Sequence, residues 1–368
     1  MFFYGCISYL QKISFKYVLR VQFYYFAFSF FFVFANRCKN GIQPFFLIMM
    51  LTITTSNAQI FNFPANNPIE LGKVAWHRNY ETAIKESDRK NLPILILFQE
   101  VPGCSNCTTF GNEILSHPLI VEAIETCFVP LCIYNNHPGN DKDILDKFGE
   151  PSWNNPVIRV ITSHGKDLVP RQPDFRSRTK TIETLIEAIK KSGNQIPEYL
   201  KILLEETEAN EKGLKEEAYF SMYCFWSGEK EISRLNGVIA TEAGFMHGKE
   251  VVKVTYRKDK ASLSDIFLNA KKVGCGDEVY AAINEKNKLT VKPIATYRMD
   301  SEDKYYLSKS SYRVIPMTDL QKTKVNRAIG IGLDPNNYLS PRQLTLLHIK
   351  NVSKSQISSN IEKVWWKM

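Results

Sequence analysis

Two cysteines three residues apart could carry thiol chemistry in this chain. Cys104 and Cys107 form a Cys-x-x-Cys turn directly after the apolar run 93–98. Thiols at this spacing can close a disulfide, and a helix that begins after Gly103 would offer unpaired N–H groups that favour a thiolate at Cys104. We therefore predict both cysteines as catalytic residues, with Cys104 as the attacking thiol.

Two other interpretations of this pair stay open: a structural disulfide and half of a zinc site. A structural zinc ion usually takes four ligands in two closely spaced pairs. The sequence has no second Cys-x-x-Cys motif, and its six histidines lie too far apart to form a closely spaced pair. The sequence therefore predicts redox chemistry without a metal and without a cofactor.

Length and composition describe a globular protein with room for more than one domain. The 368 residues exceed a typical domain, so we expect two domains and a targeting segment. Hydrophobic residues make up 44% of the chain and charged residues 23%, which suits packed cores. The net charge of +9 comes from lysines scattered among glutamates and not from a basic block, so we expect no nucleic-acid partner.

Residues 1–58 are predicted to target the protein and not to fold with it. An apolar run at 21–35 follows Lys12, Lys16 and Arg20 and is shorter than the ~20 residues that a membrane span needs. A second run at 44–53 follows basic residues and precedes Ser56-Asn-Ala58, as in a secretory signal peptide. We expect export to the periplasm or cell envelope with cleavage after Ala58. Anchoring in the membrane through the first run is the alternative.

Residues 60–195 have the element order of a small α/β domain. The 94–98 segment is apolar on both faces, as in a central strand that is covered by helices. Helices are predicted at 79–90, from 116 and at 182–191, and further strands at 128–134 and 157–162.

This order of elements resembles thioredoxin-like proteins. The resemblance is carried by the 91–93 lead-in, by the cysteine pair after the strand, and by Asn154-Asn-Pro156. It implies that Pro156 is a cis-proline that faces the cysteines and belongs to the catalytic site. The Trp that usually precedes the cysteines is absent. Val101-Pro-Gly in its place resembles the Val-Pro-Gly-Cys/Sec-x-x-Cys/Thr subgroup, in which Cys104 holds the selenocysteine position.

A charged helical connector at 196–215 is predicted to lead into a second domain at 216–368. The expected elements of that domain are a strand at 218–224, a helix at 228–235 capped by Ser227, strands at 238–243 and 250–256, a helix after the capping box Ser262-x-x-Asp265, and a strand at 278–283. This order is a split βαβ arrangement. Another capping box at Ser340 is predicted to open a helix at 344–350.

Part of the second domain resembles peptide methionine-S-sulfoxide reductases. The matching strings are Cys224-Phe-Trp226, Glu229, 235–241 and 250–256. The resemblance implies that Cys224 is the nucleophile and that Glu250 lends a proton to the sulfoxide oxygen. It also implies that Phe225 and Trp226 bind the methyl group of the substrate.

The implied chemistry suits these residue types. A thiolate attacks sulfur only when the sulfoxide oxygen is protonated or hydrogen-bonded as it leaves. A carboxylic acid beside a cysteine in an aromatic pocket could supply that proton. Cys275 offers a resolving thiol. Ordinary core packing of the aromatic residues is the alternative.

The second domain also departs from the pattern of that family. Tyr223 replaces the Gly before the nucleophile, and Phe245 stands at the position of a substrate-binding tyrosine. The later Asp and Tyr of the family have no clear match, although Asp277 and Tyr280 lie in the corresponding region.

The sequence thus predicts an exported α/β enzyme, with a thioredoxin-like domain followed by a split βαβ, ferredoxin-like domain of the peptide methionine sulfoxide reductase A type. Its substrate would be oxidised methionine in proteins or peptides, reduced at Cys224 with electrons from Cys104 and Cys107. A thiol reductant, soluble or membrane-bound, would restore the pair. The alternative from another class is a module that binds thiol-seeking metals or client proteins, with an inactive second domain.

Overall fold

The computed structural model describes residues 67–173, 176–282, 290–302, 304–348 and 360–367. The predicted leader at 1–58 lies outside these ranges. The residues in these ranges form one compact unit. Within the described ranges, no helix combines the length and the apolar character that a bilayer span requires.

The first sheet has strand β1 (Ile94–Gln99) between β2 (Val129–Tyr134) and β3 (Val157–Ile161). β1 runs parallel to β2 and antiparallel to β3. Every side chain of β1 is buried because successive residues pack into two separate cores, one on each face of the sheet. The cysteine turn therefore starts from a strand that is fixed on both sides.

Helices flank this sheet. They are α1 (Tyr80–Lys90), α2 (Ser105–Thr109), α3 (Pro118–Cys127), α4 (Asn140–Phe148) and α5 (Arg178–Lys191). Those at 80–90, 118–127 and 178–191 lie near the predicted positions, whereas the helix at 140–148 was not predicted. α2 continues into a π-helical turn over Phe110–Ile114. The Asn79 side chain caps α1, and the peptide bond before Pro156 is cis.

The second sheet holds six strands in the order β8-β7-β4-β6-β5-β9. Its strands are β4 (Lys215–Ser221), β5 (Val238–Met246), β6 (Lys249–Arg257), β7 (Glu278–Ala281), β8 (Val291–Lys292) and β9 (Arg298–Met299). Helices α7 (Phe225–Ile232) and α8 (Leu263–Lys272) pack on one face of this sheet, around Phe220 and Val252. The other face carries Tyr219 and Tyr280.

Helix α6 (Glu198–Glu211) joins the two sheets and is buried on more than one side. Leu200 and Leu203 belong to the core of the first sheet, whereas Ile202 and Ala209 pack with Ile239 of β5. The predicted connector is therefore a helix that packs against both halves of the protein.

The C-terminal segment packs back onto the first sheet's helices. It forms α9 (Tyr305–Ser308), α10 (Asp319–Gly330), α11 (Pro341–Thr345) and α12 (Ile361–Val364), with 3-10 turns at Ser311–Val314, Pro335–Tyr338, Leu346–His348 and Trp365–Lys367. The Arg342 N–H donates to Glu122 on α3, and the Trp366 indole donates to the Ser116 carbonyl. The C-terminal segment of the predicted second domain therefore packs into the core of the predicted first domain.

Two local predictions in the second half of the chain need correction. α7 begins at Phe225 and not at residue 228, and Ser227 lies inside the helix, because a carboxylate from β6 binds the first N–H of the helix. The Ser340 capping box forms as predicted, with Pro341 at the first helical position, but α11 ends at Thr345 and a 3-10 turn follows in place of a helix at 344–350.

Candidate active site

The thiols of Cys104 and Cys107 lie 3.6 Å apart at the end of β1. Cys104 is the N-cap residue of α2 and is exposed, whereas Cys107 lies in the first turn of the helix and is fully buried. The two thiols therefore differ in access to solvent, as a pair with one attacking and one resolving thiol requires.

The buried thiol is held by the loop that precedes β3. The Cys107 thiol donates to Oδ1 of Asn155 at 2.9 Å, and Asn155 precedes the cis-proline Pro156. Burial raises the pKa of Cys107 to about 12, so this thiol keeps its proton at neutral pH. The arrangement leaves Cys104 as the thiol that can attack.

This difference predicts a strict order of chemical labelling. At about pH 8 a thiol with a pKa of about 12 is ionised to only about one part in ten thousand, and Cys107 has no solvent-exposed surface. Iodoacetamide should therefore label Cys104 at least ~100-fold faster than Cys107 in the reduced protein. Peptide mass spectrometry after timed quenching measures this ratio. Equal labelling rates would contradict the assignment of Cys104 as the attacking thiol.

A buried glutamate fixes the loop that carries the cysteines. Oε1 of Glu70 accepts a 2.8 Å hydrogen bond from the Gly103 N–H. The buried Gln99 side chain donates to the carbonyls of Glu70 and Cys107. A side chain at Gly103 would meet the Glu100 carbonyl at 2.3 Å, so the close approach requires glycine. Sequence reasoning missed Glu70 because it lies 33 residues before its partner.

Removing the Glu70 carboxylate should loosen this loop. Glu70→Ala leaves the Gly103 N–H without its acceptor and is expected to lower the free energy of unfolding by ~1 kcal/mol. Glu70→Gln keeps an acceptor oxygen and should lose only a fraction of that. Urea unfolding of the reduced protein measures the free energy of unfolding of both variants. Glu81→Ala is the control, because Glu81 is exposed on α1. Equal losses for Glu70→Ala and Glu70→Gln would show that the acceptor is not what matters.

The second centre is built where β4 turns into α7. Cys224 is the N-cap residue of α7 and is half-buried. Oε2 of Glu250, on β6, accepts a 2.9 Å hydrogen bond from the Phe225 N–H. The backbone carbonyl of Glu250 also accepts from the Met222 N–H at 3.1 Å. The carboxylate of Glu250 therefore lies at the first turn of α7, beside the residue that follows Cys224.

Aromatic rings surround this turn. The rings of Phe225 and Phe245 meet edge to face with centroids 5.3 Å apart, and Phe225 and Trp226 lie 5.4 Å apart. The residues that we predict as substrate-binding therefore form one cluster, although two of them are 20 positions apart in the chain. An aromatic cluster of this kind suits an apolar group such as a methyl.

Three residues that sequence reasoning missed complete the cluster. Tyr305 stacks on Trp226 with centroids 4.1 Å apart, and the Trp226 indole N–H donates to Oδ2 of Asp300 at 3.3 Å. The Arg298 guanidinium lies 4.4 Å over the Phe245 ring. All three follow β8 in a stretch that has no clear periodicity, so only the run of Tyr, Arg, Asp and Tyr at 297–305 could have indicated them.

Asp277 and Tyr280, which lie in the region of the family's later Asp and Tyr, make contacts within the second sheet. The Asp277 N–H donates to the Ser221 carbonyl and helps to pair β7 with β4. The Tyr280 side chain points to the sheet face opposite α7 and packs near Tyr219. Alternation along β7 explains this, because its neighbour Val279 already faces the α7 side.

Cys275 lies in the loop between α8 and β7. It is buried in the same core as Phe225, and its loop runs beside the end of β4, where Ser221 pairs with Glu278. Burial raises the pKa of the Cys275 thiol, with smaller effects from Glu231 and Cys224. All six cysteines in the described ranges are free thiols.

Comparisons with known proteins give short matches. The chain is 58% identical over 33 residues to the peptide methionine sulfoxide reductase MsrA of Methanococcus maripaludis strain C6, which covers 9% of this chain and 21% of that protein. It is 35% identical over 69 residues to the MsrA of strain C5, which covers 14% of this chain and 44% of that protein. The chain thus spans less than half the length of these curated relatives. No family profile matches the sequence.

Solved structures give low-identity likenesses. The oxidoreductase DsbH is 18% identical, with a TM-score of 0.28 over 35% of this chain and 93% of that chain. A thioredoxin from Thermus thermophilus is also 18% identical, with a TM-score of 0.29 over 33% of this chain and 90% of that chain.

Proposed function

We propose that this protein is an exported thiol-dependent reductase of methionine S-sulfoxide in peptides or proteins. The observation that carries the proposal is the placement of Cys224 at the start of α7, with the Glu250 carboxylate bonded to the next N–H and an aromatic cluster alongside. The short matches to MsrA proteins support the same reaction class.

The residues have distinct roles in the proposed reaction. Cys224 attacks the sulfoxide sulfur, Glu250 supplies a proton to the oxygen, and methionine leaves while the sulfenic acid forms on Cys224. The Cys275 thiol then condenses with the sulfenic acid, which releases water and leaves a disulfide. Cys104 attacks that disulfide, and Cys107 closes the second one and restores the Cys224 centre. An external thiol reductant returns Cys104 and Cys107 to the dithiol.

The fold supports both halves of this proposal. Strands β7, β4, β6 and β5 lie side by side in that order, with α7 and α8 on one face, as in a split βαβ domain. In the first half, the cysteines follow the central strand, and a cis-proline precedes β3 next to the residue that binds Cys107, which supports a thioredoxin-like domain.

A stereospecific assay tests the proposal. The protein is incubated with dithiothreitol and either the S- or the R-sulfoxide of N-acetylmethionine, and methionine formation is followed by chromatography. We expect turnover of the S-sulfoxide alone, and none in the Cys224→Ser variant. Turnover of neither isomer would instead favour an inactive second domain. In that case the Arg298 guanidinium, which lies over one face of the Phe245 ring, would occupy the place of a substrate.

A further inference from the structure

A third ligand-forming group lies beside the two thiols of the first centre. The carboxylate of Glu100, the residue after β1, comes within 4.8 Å of the sulfurs of both Cys104 and Cys107. The three groups combine soft sulfur and hard oxygen donors, a set that zinc accepts and that magnesium and calcium do not favour.

We propose that the reduced first centre binds a thiophilic divalent cation, with Zn²⁺ as the reference ion, through Cys104, Cys107 and Glu100. This inference goes beyond the proposed reductase, because the site needs only the dithiol and the carboxylate. It also replaces the expectation from sequence alone that no metal binds, which considered only closely spaced Cys and His pairs.

The separation of the sulfurs fits one tetrahedral ion. Two zinc–sulfur bonds of about 2.3 Å at a tetrahedral angle place the sulfurs about 3.8 Å apart. The observed separation is 3.6 Å, so the ion could enter between the thiols with little change in the backbone. The Glu100 oxygen lies within 4.8 Å of both sulfurs, so it has to move by at most about an ångström and a half to reach the bonding distance of about 2.0 Å.

The surroundings leave a path for the ion and support the ligands. Cys104 is exposed and Glu100 is half-buried, so an ion can reach the site from solvent. The Gly103 N–H is bonded to Glu70, which fixes the loop between Glu100 and Cys104. Both thiols lose their protons on binding. The two thiolates, the carboxylate and the divalent ion together then carry a net charge of −1.

Metal binding and disulfide formation would exclude each other at this centre. Both thiolate sulfurs are committed to the ion in one state and to each other in the other state. A metal-loaded pair could neither reduce the Cys224 centre nor be oxidised itself. The cation therefore acts as a reversible block on the first centre.

Affinity measurements on the reduced full chain test the site. Zn²⁺ is titrated under anaerobic conditions against a chromophoric chelator, and Co²⁺ is used in parallel because its absorption in the near ultraviolet reports bound thiolates. We expect one ion per chain, and none after oxidation of the pair to the disulfide. Cys104→Ser should abolish binding at this stoichiometry and the thiolate absorption with it.

Glu100→Gln is the decisive variant, since it leaves both thiols in place. We expect its affinity for Zn²⁺ to fall by at least on the order of 10- to 100-fold, the loss that is typical when only a partner of a ligand is removed. Glu81→Gln, on the exposed side of α1, should bind as the wild type does. Unchanged affinity in Glu100→Gln, or an ion retained by Cys104→Ser, would overturn the proposal. Because no turnover is measured, these outcomes are independent of whether the protein reduces sulfoxides.

Discussion

A fully reduced Cys104→Ser chain is expected to yield one equivalent of methionine from S-sulfoxide in the absence of added thiol. The wild type should yield two equivalents, and Cys224→Ser none. The count follows from the electrons available, because each dithiol supplies the two electrons that one sulfoxide consumes. The variant can use the Cys224 and Cys275 thiols once, and it then stalls with no dithiol to reduce the new disulfide.

Quenched-flow sampling with chromatography of the product measures these amplitudes. Cys127→Ser is a matched control, because that cysteine lies at the end of α3 and plays no part in the proposed relay. It should retain two equivalents. A second equivalent from Cys104→Ser would refute the relay, and the two cysteine centres would then act independently.

The proposed relay requires that electrons pass from the Cys104 and Cys107 pair to the Cys224 centre. Helix α6 is buried against both sheets, and Arg257 of β6 is bonded to Glu208 of this helix, so the connector does not resemble a flexible tether. Electrons could still pass within one chain or between two chains. A mixture of Cys104→Ser and Cys224→Ser chains separates these routes, because only transfer between chains restores the second equivalent. Within one chain, the rate of the second turnover would not depend on protein concentration.

Local patterns in the sequence predicted much of the scaffold. The β1 strand was predictable because its apolar residues continue without alternation, and both faces are in fact buried. The Ser262 and Asp265 side chains form the expected capping box, as do Ser340 and Gln343. These interactions join residues three positions apart, so the sequence alone contains the information that is needed.

Contacts between distant segments were not predictable in the same way. Ser227 has the right type for a helix cap, but Glu250 binds the first N–H of α7 from a neighbouring strand. Tyr305, which stacks on Trp226, lies 79 positions further along the chain, in a segment without recognisable periodicity. A single sequence does not show which strand edge or loop will lie beside a given turn. The sequence therefore indicates the candidate cysteines, but only part of the side chains that surround them.

Replacement of Glu250 by glutamine is expected to give the largest loss of rate that leaves the fold intact. The glutamine amide oxygen can still accept from the Phe225 N–H, so α7 should keep its start. The amide has no carboxylic proton for the departing sulfoxide oxygen, and general acid catalysis contributes typically ~10²–10⁴-fold. We expect the first turnover to slow by about that factor, while circular dichroism and the free energy of unfolding stay close to those of the wild type.

Glu250→Ala separates the two roles of this carboxylate. It removes both the proton and the acceptor, so it should slow the first turnover at least as much and also destabilise the protein by ~1 kcal/mol or more. Glu217→Gln is the control, because this exposed carboxylate on β4 pairs with Lys253 and not with the helix. If Glu250→Gln reduced sulfoxide at the wild-type rate, the proton would have to come from another group. The Glu250 carboxylate would then serve only to hold the first turn of α7.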